Sequence, residues 1–150
     1  MIKEVGRVLD DLSHVSETLN QASDLLSKHI LEVELALQRY RLGVAAWVSL
    51  CYWDVPDTNP VITRVQCLGY AKLKGKWGLL ISESCDDEPP FEGTMTFLRQ
   101  MPRETKLLAA DKLPELLAEL LKKATTVASE TLDKQAATEE IVRGLKKGNK

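Results

Sequence analysis

The sequence predicts an α+β fold: a long N-terminal helix, a four-stranded antiparallel meander and a C-terminal helical arm packed on the sheet. Seven of the eight aromatic residues lie between residues 43 and 101, while the flanking segments are rich in Leu, Ala, Glu and Lys. No proline precedes Pro56, which leaves the first forty residues free to form one helix. The 150 residues, 44% of them hydrophobic, suit one domain over residues 1–150 with a single core.

The first segment, residues 1–41, carries a seven-residue apolar repeat. Such a repeat marks the a and d positions of a heptad, so we predict one helix of about 55 Å. This is longer than a four-stranded sheet is wide, so part of the stripe needs cover from the C-terminal helix or from a second copy of the chain. The a line is Val5, Leu12, Leu19, Leu26, Val33 and Tyr40, and the d line is Val8, Val15, Ala22, His29 and Ala36.

The middle segment, residues 43–101, predicts four strands joined as a meander. Residues 43–53 are apolar on both alternating faces, residues 61–73 alternate more clearly, and a third strand follows Gly75. The acidic loop after the third strand leads to a short strand at residues 94–99. Gly75 predicts a tight hairpin, most simply a type I turn with a glycine bulge.

The last segment, residues 102–145, predicts the helical arm, and we expect residues 146–150 to fray. Pro102 and Pro114 both suit a first helical turn, so a break between a short and a long helix is expected just before Pro114. A weak point is expected near Gln135.

Composition restricts the partners. The formal net charge of −2 gives no general attraction to nucleic acid or to an anionic membrane. No stretch resembles a signal peptide or a membrane span, and no membrane partner is expected. The three cysteines form no CxxC pair and have no nearby histidine, so we expect reduced thiols and a cytoplasmic protein.

The hairpin at residues 72–76 is the most basic stretch of the sheet. Arg64, Lys72, Lys74 and Lys76 are candidates for binding nucleic acid or another anionic ligand. Nucleic acid is not favoured, because the sequence has no long basic stripe. The simpler interpretation is that lysines beside a hairpin tip discourage edge-to-edge pairing of strands.

Little in the chain nominates catalysis. The GxSxG, HExxH, Walker and dinucleotide-binding patterns are absent, and His14 and His29 lie about 22 Å apart along one helix. The acidic loop at residues 86–92 lacks the ligand order of a calcium loop. We therefore predict no catalytic residue, no cofactor and no metal, and the question of an enzyme stays open with no as the preferred answer.

The favoured hypothesis is a non-enzymatic interaction or scaffolding protein that forms a homodimer or binds another protein through the heptad helix or a sheet face. An alternative is a small-molecule site on the open sheet face, lined by Trp47, Trp53, Tyr70 and Cys67. The candidate interaction residues are Leu12, Leu19, Leu26, His29, Val33, Trp47, Trp53 and Tyr70.

Overall fold

The computed structural model describes residues 1–148 and confirms the α+β architecture. Two long helices flank a four-stranded sheet of order β1-β2-β3-β4, in which every neighbouring pair is antiparallel. Short 3₁₀ turns lie at Pro90–Glu92 and Leu98–Gln100. The elements are α1 (Ile2–Tyr40), β1 (Ala46–Asp54), β2 (Thr63–Leu73), β3 (Lys76–Cys85), β4 (Thr94–Phe97) and α2 (Arg103–Gly148).

Both helices cover the same face of the sheet. Because side chains alternate along a strand, one face collects every second residue of β1, β2 and β3. Helix α1 contributes two fully buried apolar residues to this layer, and α2 contributes three. The main core consists of Ile30, Leu37, Ala46, Val48, Leu68, Tyr70, Leu79, Ile81, Leu98, Ala109, Leu116 and Leu120.

The opposite face is closed without a helix. Its apolar cluster contains Ala71, Leu80 and Phe97, with Trp47 packed against it. The Trp47 indole lies so close over Gly69 that a Cβ at that position would be 2.2 Å from a ring carbon. Toward the other end of this face, the loop after β3 folds back, and the hydroxyl of Ser82 donates a hydrogen bond to the Pro90 carbonyl.

Helix α2 is continuous, and the predicted break before Pro114 is absent. A proline inside a helix removes one backbone hydrogen bond and costs about 3 kcal/mol. Here Ala109 on one side of Pro114 and Leu116 and Leu120 on the other are all buried, so packing of both halves on the sheet offsets that cost. The predicted tail begins at residue 146, but the helix continues through Gly148, and residues 149–150 lie outside the described residues.

The β2–β3 turn differs from the predicted type I turn with a glycine bulge. Leu73 pairs directly with Lys76, which leaves a two-residue loop. Lys74 and Gly75 both have positive φ, 52° and 81°, as a type I′ turn requires. This turn matches the twist of the strands, which outweighs the cost of placing a lysine in the left-handed region.

Only parts of the two helices lie on the sheet. The Lys106 ammonium donates to the Ser27 hydroxyl near the start of α2, and the Lys123 ammonium donates to the Ala45 carbonyl just after α1. The helices therefore run in the same general direction, and their free ends leave the domain at opposite ends. Every residue from 1 to 22 and from 125 to 148 is exposed. We call these segments the α1 arm and the α2 arm.

Candidate interaction surface and hairpin pocket

The α1 arm carries an exposed apolar stripe along about 30 Å of helix. Leu12 is 58% exposed and Leu19 42%, although both lie in a regular helix that offers them no neighbour within the domain. The stripe follows the predicted heptad lines, widened on one side. Its members are Ile2, Val5, Val8, Leu9, Leu12, Val15 and Leu19.

The same stripe becomes core in the second half of α1. Leu26 and Val33 pack against the main core, and Ile30 and Leu37 are buried within it. His29 lies at the margin of the stripe and is exposed. Of the predicted interaction residues on this helix, Leu12 and Leu19 are thus free of contacts in the single chain, while Leu26 and Val33 already have partners.

The α2 arm offers a weaker apolar surface. Leu116 and Leu120 face the sheet, and the same helical line continues into the arm as Val127, Thr131, Lys134 and Thr138. Polar and charged residues interrupt this line. The α1 arm is therefore the main uncovered apolar helix face among residues 1–148.

The aromatic residues predicted on the sheet do not share one site. Tyr70 belongs to the helix-covered core, and Trp47 belongs to the cluster on the opposite face. Trp53 lies at the far end of β1, paired with Arg64, and Cys67 alternates with Tyr70 across the sheet. The small-molecule site proposed from these four residues is therefore not assembled.

A pocket of about 390 Å³ lies instead between the end of α1 and the β2–β3 hairpin. Its aromatic wall is the stacked pair Tyr70 and Trp77, whose ring centroids are 5.5 Å apart. Lys76 is the one predicted basic residue that lines it. Arg41, which sequence reasoning missed, also lines the pocket because it ends α1 in a left-handed conformation with φ 51°.

The polar groups of this pocket are mostly donors. The Gln38 side-chain amide donates a 2.6 Å hydrogen bond to the Trp77 carbonyl. Burial raises the pKa of the Tyr70 phenol, and the nearby Glu34 carboxylate adds to that effect, so the phenol is protonated at neutral pH. The ion pairs formed within residues 1–148 include neither Arg41 nor Lys76. The pocket is thus suited to a small anion with a flat ring.

The other predicted basic residues lie elsewhere. Lys72 and Lys74 are exposed at the hairpin. Arg64 lies eight residues away along β2, about 26 Å at the rise of a strand, where its guanidinium is 3.6 Å from the Cys85 sulfur. The four residues therefore do not form a single basic patch.

A buried carboxylate that sequence reasoning missed connects α1 to the sheet. Strand β4 pairs with β3 only from Leu80 onward, which leaves the Leu79 amide at a free edge. Glu34 is only 2% exposed, and its Oε2 accepts a 2.8 Å hydrogen bond from that amide. Its Oε1 accepts a 3.1 Å hydrogen bond from Arg99. Helix α1 thus supplies side chains where the adjacent strand is missing. The available signal was the position of Glu34 on the buried line between Ile30 and Leu37.

The acidic loop uses its carboxylates locally. Potential ligand atoms of Cys85, Asp87 and Glu88 lie within 4.8 Å of one another. The Glu88 carboxylate accepts a hydrogen bond from the Cys85 amide. Interaction with the Glu88 carboxylate raises the pKa of the Cys85 thiol, and the same contact lowers the pKa of Glu88. These hydrogen bonds explain the geometry of the turn, so we assign no metal to it.

Comparison of the chain with models of protein families, with curated proteins and with solved structures gives no match in any of the three. Within residues 1–148, neither α1 nor α2 contains a segment both long enough and apolar enough to cross a lipid bilayer. Function is therefore argued from the two surfaces described above.

Proposed function

We propose that this is a non-enzymatic interaction protein that forms a homodimer through the apolar stripe of the α1 arm. The observation that carries the proposal is the continuity of that stripe, which is core in residues 26–37 and bare in residues 2–19. A second copy presents the same stripe, and two-fold pairing of identical surfaces is the commonest form of protein assembly.

The energetics of the arm support a partner. Complete burial of a leucine or valine side chain contributes roughly 1.5–3 kcal/mol, so the half still exposed on each residue is worth about 1 kcal/mol. An isolated helix of this length is marginal in water, because helices gain most of their stability from packing an apolar face. Pairing two arms would supply that packing to both.

The proposed compartment is the cytoplasm. Cys51, Cys67 and Cys85 are all free thiols. Reducing compartments maintain cysteines in this state, whereas secreted domains of this size commonly form disulfides. Fractionation of the source cells tests the location, and recovery in an oxidising compartment would contradict it.

The solution mass of the full chain tests the dimer. Light scattering during size exclusion, over a tenfold dilution, is expected to give twice the chain mass of 16.8 kDa. Replacing Leu12 and Leu19 together by Asp should give a monomer that remains folded, because neither side chain contributes to the core.

The matched control replaces His14 and Gln21 by Asp. These two residues have the same seven-residue spacing on the polar side of the arm, and the control adds the same charge. It should remain a dimer. A wild-type chain that is monomeric at every concentration would refute the proposal, as would a control that dissociates as fully as the leucine variant.

A second candidate function is binding of a small flat anion in the hairpin pocket. The specific observation is that Lys76, Arg41 and the Tyr70–Trp77 pair line one cavity. Salicylate serves as a probe, with titration calorimetry as the measurement. Binding should weaken when Lys76 or Arg41 becomes Ala and stay unchanged when Lys72, outside the pocket, becomes Ala. Equal losses in all three variants would show only general attraction to positive charge.

A further inference from the structure

We infer that the two α1 arms pair antiparallel, in a register that places Leu12 against the partner's Val15 and Val8 against the partner's Leu19. This inference rests on the proposed dimer and names its geometry. Three independent features favour it: the residue types on the heptad lines, the distribution of charge along the arm, and a recess at the base of the arm.

The heptad lines disfavour a parallel pair. Parallel two-stranded coiled coils prefer β-branched residues at a and leucine at d. In the arm this order is largely reversed, with Leu12 and Leu19 at a and Val8 and Val15 at d. An antiparallel pair packs a against d of the partner, so each of these leucines meets a valine. The same register places Val5 against the partner's Ala22, and all six layers are then apolar.

Charge along the arm favours the same direction. Residues 1–9 carry two basic side chains and one acidic side chain, whereas residues 10–22 carry three acidic side chains and neither Lys nor Arg. A parallel pair would align the acidic parts of both helices. An antiparallel pair sets the basic part of each arm beside the acidic part of the other, and it also opposes the two helix dipoles.

The base of the arm contains a recess at the corresponding position. A cavity of about 230 Å³ lies between α1 and the start of α2, where Leu19, Ala22, Ser23 and Leu26 meet Arg103 and Leu107. In the proposed register, Met1 of the partner subunit lies opposite Leu26, at this recess. The partner's Glu4 lies opposite Ser23, and thus beside Arg103. Arg103 has only a distant ion pair of 3.9 Å within its own chain.

Cysteine cross-linking tests the register. The native cysteines are first replaced (Cys51→Ser, Cys67→Ala, Cys85→Ser), and the dimer mass is checked. Val8→Cys and Leu19→Cys chains are then oxidised separately and mixed, and the products are identified by intact mass. The inference predicts a Val8→Cys to Leu19→Cys disulfide in the mixture and no Val8→Cys homodisulfide, because those two positions would be about 16 Å apart along the axis.

A charge swap tests the recess in the chain with its native cysteines. Glu4→Arg and Arg103→Glu should each weaken the dimer about tenfold by sedimentation, and combining them should restore the wild-type affinity to within about threefold. Charge reversals that add rather than compensate would overturn the inference.

The outcomes separate this inference from the proposed function. A Val8→Cys homodisulfide, or a dimer without the mixed disulfide, would overturn the register while the homodimer stands. A wild-type chain that is monomeric by light scattering would refute both.

Discussion

Replacing Glu34 by Ala should strongly destabilise the fold. Glu34 is 2% exposed, and its carboxylate occupies the place of the missing strand at the edge of β3. The substitution leaves the buried Leu79 amide without an acceptor and removes the ion pair to Arg99. No other described side chain hydrogen-bonds to that amide.

The magnitude follows from the two contacts. A buried donor left without a partner costs about 1–3 kcal/mol. The Arg99 side chain is 44% exposed, so solvent screens the ion pair and its loss costs at most about 1 kcal/mol. The sum is about 2–4 kcal/mol, which corresponds to a Tm decrease of roughly 5–15 °C for a chain of this size. Glu34→Gln retains an oxygen for the Leu79 amide and should lose only about 1 kcal/mol.

Urea unfolding followed by circular dichroism measures these differences. The monomeric variant with Asp at positions 12 and 19 is the appropriate background, since dimerisation would otherwise contribute to stability. Glu32→Ala, at an exposed position of the same helix, is the control and should change the free energy of unfolding by less than about 0.5 kcal/mol. A Glu34→Ala loss that is no larger than this, or a Glu34→Gln loss as large as that of Glu34→Ala, would refute the reasoning.

Two further predictions concern the hairpin and the acidic loop. Lys74→Asn should raise the free energy of unfolding by about 0.5–1 kcal/mol, because Asn tolerates positive φ and Asn-Gly is the preferred type I′ pair; a lower Tm would contradict the turn assignment. Glu88→Ala should speed the reaction of Cys85 with iodoacetamide at pH 8. Loss of the carboxylate lowers the raised thiol pKa, so more thiolate is present at that pH. Peptide mass spectrometry measures the rate with Cys51 as internal control, and an unchanged rate at Cys85 would count against the Glu88 contact.

The secondary structure followed from periodicity because each element buries a face. The repeat in α1 and the alternation of β2 gave the correct element types, and the aromatic-rich middle segment gave the sheet. The break at Pro114 was wrong because a local rule, the missing amide of proline, was outweighed by burial of residues on both sides. The type I′ turn was missed because a lysine rarely occupies its first position.

The candidate sites show why contacts are harder to predict than elements. The heptad repeat is equally regular in both halves of α1, so it could not show that Leu12 is bare while Val33 is packed. Glu34 was missed because a carboxylate in a helix usually faces solvent. Arg64 was grouped with Lys76 because both are basic, although the length of β2 keeps them apart.

One continuous helix links the core to the proposed interface, and the core contacts therefore determine how the arm is presented. The hydrogen bonds from Glu34 and Gln38 to the backbone of β3 fix the rotation of α1 about its own axis. Because the stripe is continuous, the same rotation directs Leu12 and Leu19 toward the side of the helix on which the sheet lies. The recess beside Arg103 is on that side, because it forms where α1 meets the start of α2. A second arm laid along the stripe therefore has its end directed at the recess, and the buried carboxylate that completes the sheet edge also orients the surface through which we propose that two copies join.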